Sequence, residues 1–135
     1  MPLLVPTLGE NRLLENALGK NASEDVILKL FVNNITPADG DTPSTFTEMS
    51  THGYAAKTLT KTSWTVAQSG GVAEGTYAEQ VWTFSAAAAV TVYGYYMVGA
   101  SSSILVWEEK FASGKVIQNS GDQIKITPKI TLSKV

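Results

Sequence analysis

Cysteine is absent from the 135 residues. That removes disulfides, thiolate metal sites and cysteine nucleophiles, so stability has to come from packing or from assembly. Histidine occurs once, as His52, and charged residues make up only 16% of the chain. Ten basic residues stand against twelve acidic ones, with no run of like charge. A phosphate backbone or an anionic membrane surface is met by a basic stripe, and none is present, so neither nucleic acid nor a membrane is expected as a partner. No stretch of about 18 apolar residues occurs, which excludes a transmembrane helix. The opening Met1-Pro2-Leu3-Leu4-Val5-Pro6 is apolar but has no basic n-region, and its prolines bracket only three apolar residues. It does not read as a targeting signal.

What is present is the composition of one folded domain. The hydrophobic fraction is 44%, with five tyrosines, four phenylalanines and three tryptophans. A chain of this length can bury roughly two thirds of the surface exposed when unfolded. We expect a single domain over 1–135, divided into an N-terminal arm and helix (1–22) and a β body (23–135). Thr7 and Glu10 have the spacing of a capping box, and Gly19 is placed to end a helix in the left-handed conformation. Leu13, Leu14, Ala17 and Leu18 recur at helical spacing, predicting an amphipathic helix over roughly 8–18. Three turns are marginal alone, so this face should dock on something.

From Val26 the period changes. Val26 to Val32 reads as a strand buried on both faces, and Thr36 to Pro43 is a loop dense in turn formers. A helical turn is expected over Phe46 to Ser50. Strands are expected near 56–59, 64–68, 76–84, 92–98 and 104–109, with turns at Ser69-Gly70-Gly71 and over 99–103. Ala86 to Ala89 suits close packing or a bend. In the closing segment Ile124, Ile126, Ile130 and Leu132 alternate with Gln123, Lys125, Thr127, Lys129 and Thr131, so one face is buried and one wet. Pro128 lacks the N–H a ladder needs and implies an edge or a bulge. The whole predicts a mainly β fold, an antiparallel β-sandwich of jelly-roll type with a short N-terminal α-helix.

Catalytic groups are scarce, and we expect no catalytic residue, cofactor or metal site. His52, before a glycine, reads as a loop residue; no serine elbow accompanies it. Glu108 and Glu109 are adjacent on a strand and face opposite sides, so they cannot flank one bond. Asp39, Asp41 and Glu48 could supply oxygens to calcium, but their spacing lacks the EF-hand pattern and suits ordinary turns. The sequons at Asn21 and Asn34 matter only in a secretory pathway. Trp64, Tyr77, Trp82, Tyr93, Tyr95, Tyr96 and Trp107 lie on predicted strands, where packing between sheets is commoner than an exposed row for stacking on carbohydrate. The arm Leu3-Leu4-Val5 could fold back on its own core or, with Leu13, Leu14 and Leu18 of the helix, pack on a neighbouring subunit. Low charge and the lack of a site favour the second reading.

Several segments resemble a family of small virion proteins from tailed bacteriophages. They are Gly9-Glu10-Asn11 with Leu13-Leu14 and Ala17-Leu18, and Leu28-Lys29-Leu30-Phe31 leading to Asn33-Asn34-Ile35-Thr36-Pro37. They continue in Phe46-Thr47-Glu48, Gly53-Tyr54-Ala55, Leu59 and Trp64, then in Tyr93-Gly94-Tyr95-Tyr96, Leu105 to Phe111, and Ile124 to Leu132. The resemblance spans nearly the whole chain and contains no catalytic motif. It implies a non-enzymatic, β-rich virion component. The leading expectation is a capsid decoration or cement protein, a homo-oligomer and most simply a trimer, that bridges major capsid subunits; the alternative is a tail, baseplate or head-tail accessory protein. A carbohydrate-binding sandwich is a more distant reading, from the aromatics alone.

Overall fold

The computed structural model describes residues 3–132. One helix, α1 (Thr7–Ala17), precedes nine strands: β1 (Val26–Phe31), β2 (Lys57–Leu59), β3 (Thr65–Ser69), β4 (Val72–Thr76), β5 (Gln80–Thr83), β6 (Val90–Gly99), β7 (Leu105–Ile117), β8 (Gln123–Ile126) and β9 (Lys129–Leu132). Every strand pair is antiparallel. The expected β-rich class, with one short N-terminal helix, is therefore observed.

The central sheet has the order β2-β1-β6-β7. β1 lies inside it and, as its unbroken apolar run predicts, is covered on both faces. On the first face Leu28 and Leu30 join Tyr95, Met97 and Trp107 in a core completed by Trp82 of β5 and by Ile124 and Ile126 of β8. On the second, Phe31, Tyr96, Val98 and Leu105 pack with Phe46 and Ile35 from the long β1–β2 connection. The Phe46 and Tyr96 rings stack at 4.4 Å, and Phe31 meets Phe46 at 5.0 Å. Asn33 pins this connection by donating to the Thr45 carbonyl (2.9 Å) and accepting from the Thr47 N–H (2.8 Å).

The helical turn expected over Phe46 to Ser50 is not formed. A 3-10 turn falls earlier, at Pro43–Thr45. Residues 47–49 run extended beside the end of β1, with the Val32 N–H donating to Thr47 O and the Met49 N–H to Leu30 O, both at 2.9 Å. An extended path lets Phe46 and Met49 reach two different cores, which one helical turn would not.

The strand expected over 76–84 is present only as Gln80–Thr83 (β5), while β4 (Val72–Thr76) forms ahead of it where no strand is expected, and the closing alternation is split in two opposite the gap between them. β4 pairs with β9 and β5 with β8, so the four form one long ribbon interrupted where Tyr77–Glu79 oppose Thr127–Pro128. Pro128 is buried in that break and accepts the Tyr77 N–H at 2.9 Å. Pro128 thus lies in an irregularity of three residues against two, and β9, which follows it, is the edge strand of its sheet, so both of the expected positions are met. Beyond it the pattern changes partner: Ile130 is half-buried and Leu132 is exposed, instead of continuing the buried row of Ile124 and Ile126. The β3–β4 hairpin turns on Gly70 and Gly71, both at positive φ (58° and 81°), as a two-residue primed turn requires. Ala86–Ala89 is an exposed bend between β5 and β6.

Candidate assembly surface

α1 begins without the capping box. Pro6 is the N-cap residue, no side chain caps the helix, and the Pro6 carbonyl accepts the Glu10 N–H at 2.9 Å. Thr7 is instead the first helical residue, and its N–H donates to the carbonyl of Asp39 at 3.1 Å. A backbone carbonyl far along the chain thus takes the place of the Glu10 side chain, and the Pro6 carbonyl that of the Thr7 side chain. The other end is as read: Gly19 has φ 68°, its N–H donates to Asn16 O (3.1 Å), and the Lys20 N–H donates to Glu15 O (2.9 Å), a Schellman closure.

The docked face of α1 differs from the leucine face. Gly9 is buried, and Arg12, Leu13 and Asn16 are half-buried. Gly9 sets this orientation, since a methyl at its Cα would collide with the carbonyl oxygen of Val106 on β7. Arg12 reaches Glu24 at 2.8 Å. Glu24 also accepts from the Ser101 N–H (2.6 Å), the Ser102 N–H (2.9 Å) and the Ser102 hydroxyl (2.6 Å). Burial works to raise its pKa, but these donors outweigh it and hold the carboxyl at about 2.

The arm folds back on its own chain. Leu4 exchanges two backbone hydrogen bonds with Glu108 of β7 (2.8 and 2.9 Å), while Leu3 and Val5 pack against the main core. Of the six residues singled out for assembly, Leu3, Leu4, Val5 and Leu13 are half-buried within the chain itself. Leu14 and Leu18 are left on the outer side of α1, 59% and 74% exposed. Val66 and Leu132, on β3 and β9, are exposed to a similar degree.

Beneath the loop that receives Thr7 lies a charge that sequence reading treated only as half of an adjacent pair. Glu108 is fully buried, and neither carboxylate oxygen has a hydrogen-bond partner. It faces Asp41 and Asp39 of that loop. Burial, followed by repulsion from Asp41, lifts its pKa to about 8. Protonated, Glu108 becomes a donor toward Asp41, whose Oδ2 already accepts the Ala38 N–H at 2.8 Å. Glu109 turns to the other face, where it accepts the Tyr95 hydroxyl at 2.7 Å, so the two neighbours diverge as expected. Glu48 is not part of the Asp39 and Asp41 group: it takes Lys29 Nζ and the Tyr54 hydroxyl, both at 3.0 Å. Among the described residues no three His, Cys, Asp or Glu side chains converge as metal ligands.

His52 sits at φ 60° and is buried, with Nδ1 2.6 Å from the Thr51 hydroxyl and no partner at Nε2. His52 lies in the turn before Gly53, where the loop reading places it. The seven large aromatics are all buried or half-buried. Trp64 meets Tyr77 at 5.1 Å and Trp107 at 5.6 Å, edge-on, and Trp82 Nε1 donates to Ala55 O at 2.8 Å. They pack as core, not as an exposed stacking row.

The chain matches no protein-family model and no curated protein sequence.

Proposed function

We propose that this chain is a non-enzymatic structural protein that works by associating with itself and with a larger assembly. On the resemblance of its segments it is a phage capsid decoration protein, a homo-oligomer in the virion that bridges major capsid subunits. The observation that carries the assembly reading is the outer face of α1. Leu14 and Leu18 remain 59% and 74% exposed on a short helix whose inner face is already docked. Two leucines one turn apart on the outer side of an already anchored helix bury little surface in the monomer and suit a protein contact. The finer architecture we assign is a sandwich of jelly-roll type, supported by the core that one face of the central sheet shares with β5 and β8.

The test replaces Leu14 and Leu18 together with serine. The solution mass of the natural chain should be a multiple of the 14.4 kDa protomer, and the double variant should shift toward the protomer and lose occupancy on empty shells while keeping its melting temperature within a few degrees. A natural chain that is monomeric and ignores shells ends the proposal. Labelling on intact particles distinguishes head from tail. Changing Leu3, Leu4 and Val5 to serine should behave differently. Because that arm packs on its own core, the variant should lose roughly 2–4 kcal/mol of stability in addition to any change in association, measured by denaturant unfolding.

A further inference from the structure

β9 is an end strand, and among the described residues its one neighbour is β4. The Tyr77 N–H donates to Pro128 O at 2.9 Å, one step before Thr76 stands opposite Lys129. Hydrogen-bonded and open pairs alternate along an antiparallel ladder, so Ile130 and Leu132 turn their backbone N–H and C=O toward β4 while Lys129 and Thr131 turn theirs outward. Among the described residues no backbone hydrogen bond reaches those outward groups. Beside β9 runs a groove of about 490 Å3, lined also by Leu3 and Val5 of the arm and by Glu10 and Leu13 of α1. Leu132 lines it too and is 68% exposed. An edge lysine ordinarily repels a second strand, but Lys129 is neutralised by Glu74 of β4 at 2.7 Å. This border is open to strand addition.

We propose that two copies of this chain pair through β9, antiparallel across a two-fold axis at Ile130. The border matches itself. In this register Lys129 of each copy faces Thr131 of the other, and each such pair exchanges two hydrogen bonds, so every outward group on both strands is used. Ile130 meets its own copy in the open pair between them, where side chains approach closest, and Leu132 meets Pro128 of the other copy. A shift of one residue sets the Ile130 and Leu132 face against the Lys129 and Thr131 face. A shift of two either puts the lysines opposite each other or carries Lys129 past the end of the other strand. A stable interface uses about 20–30 residues a side, so this short ladder with its groove gives a weak, isologous dimer. It involves neither Leu14 nor Leu18 and does not depend on the contact assigned to α1.

The chain contains no cysteine, so an introduced thiol reports on its own surroundings. Ile130→Cys places two thiols across the axis with Cα atoms about 4.5 Å apart, inside the disulfide window of about 4.4–6.8 Å. Under mild oxidation of the full chain it should form a disulfide dimer at least about tenfold faster than Thr65→Cys, on the exposed border of β3. If Ile130→Cys does not fold, an equal mixture of Lys129→Cys and Thr131→Cys proteins takes its place and should give the mixed dimer in excess over either symmetric one. Thr131→Pro removes an outward N–H without touching the pairing with β4, and should bring the Ile130→Cys rate down to that of Thr65→Cys. Serine at Leu14 and Leu18 should leave the rate unchanged, which separates this contact from the one on α1. Equal rates for Ile130→Cys and Thr65→Cys, an excess of the symmetric Thr131→Cys dimer in the mixture, undiminished cross-linking with Thr131→Pro, or a rate that falls with the Leu14 and Leu18 change would each overturn the proposal.

Discussion

Replacing Glu108 with glutamine is expected to stabilise the protein at about pH 9 and to change it little at about pH 4. The native carboxyl holds its proton up to about pH 8, against an ordinary value of 4.5. Between those values the folded chain binds a proton that the unfolded chain has released, so stability falls as pH rises through this window and levels off above it. One proton gives a slope of at most about 1.4 kcal/mol per pH unit. Allowing for relaxation of the covering loop, the loss should total about 2–4 kcal/mol. Glutamine keeps the shape, donates to Asp41 without titrating, and removes the slope. Thermal unfolding of both proteins across this range decides the matter, with a gap of roughly 6–12 °C expected at the alkaline end. Parallel profiles for the two proteins would mean that Glu108 is not held as described. At the acid end the sign reverses. Glu24, held at about 2, contributes stability that is lost as pH falls from about 4.5 toward 2, so the natural chain should be most stable in mild acid.

Gly9→Ala sets two effects against each other. In the interior of α1 alanine is the better helix former by up to about 1 kcal/mol. A methyl there, however, meets the backbone carbonyl of Val106, with a Val5 methyl only 3.1 Å away on another side. A backbone oxygen cannot turn aside as a side chain can, so α1 must lift from β7 and take Arg12, Leu13 and Asn16 out of their contacts. Packing should win, with a net cost of about 2–3 kcal/mol and a chain that opens first at its N-terminal end. Amide exchange should show faster opening over residues 3–17 while β1 and β6 stay protected. A variant as stable as the natural chain, with unchanged exchange, would refute the close approach at Gly9.

The same glycine explains why the helix was only half legible. Its existence, its length and its Gly19 terminus follow from local spacing, and all three are observed. Its orientation does not. Counting apolar residues selects the Leu14 and Leu18 side, whereas close approach selects the side with the smallest residue and with Arg12 aimed at Glu24. The failed capping box has a similar cause, because the partner of the Thr7 N–H is a carbonyl 32 positions away. In the β body, apolar patterning and turn residues locate the strands apart from β4 (Val72–Thr76), in which Val72 is the one large apolar residue, but not their partners. Pro128 announced a break, yet only the opposing Tyr77–Glu79 shows that two strands are interrupted together. β7 extends beyond the expected 104–109, since from Lys110 onward its residues do not alternate and its course is set by register with Val90–Gly94 and by Phe111 and Ile117 packing on the main core. In the sequence Glu108 is only one of two adjacent carboxylates on opposite sides of a strand. Only the return of the 36–43 loop makes it a buried acid among acids.

The bridge between Leu4 and Glu108 also has a bearing on solubility. β7 has β6 on one side only, and the folded-back arm occupies its other border at Glu108. With the leader clipped away, that border would offer free N–H and C=O groups to any passing extended peptide, including the same border of another molecule. The arm covers this border at Glu108, and removing it by proteolysis should make the protein more prone to precipitate.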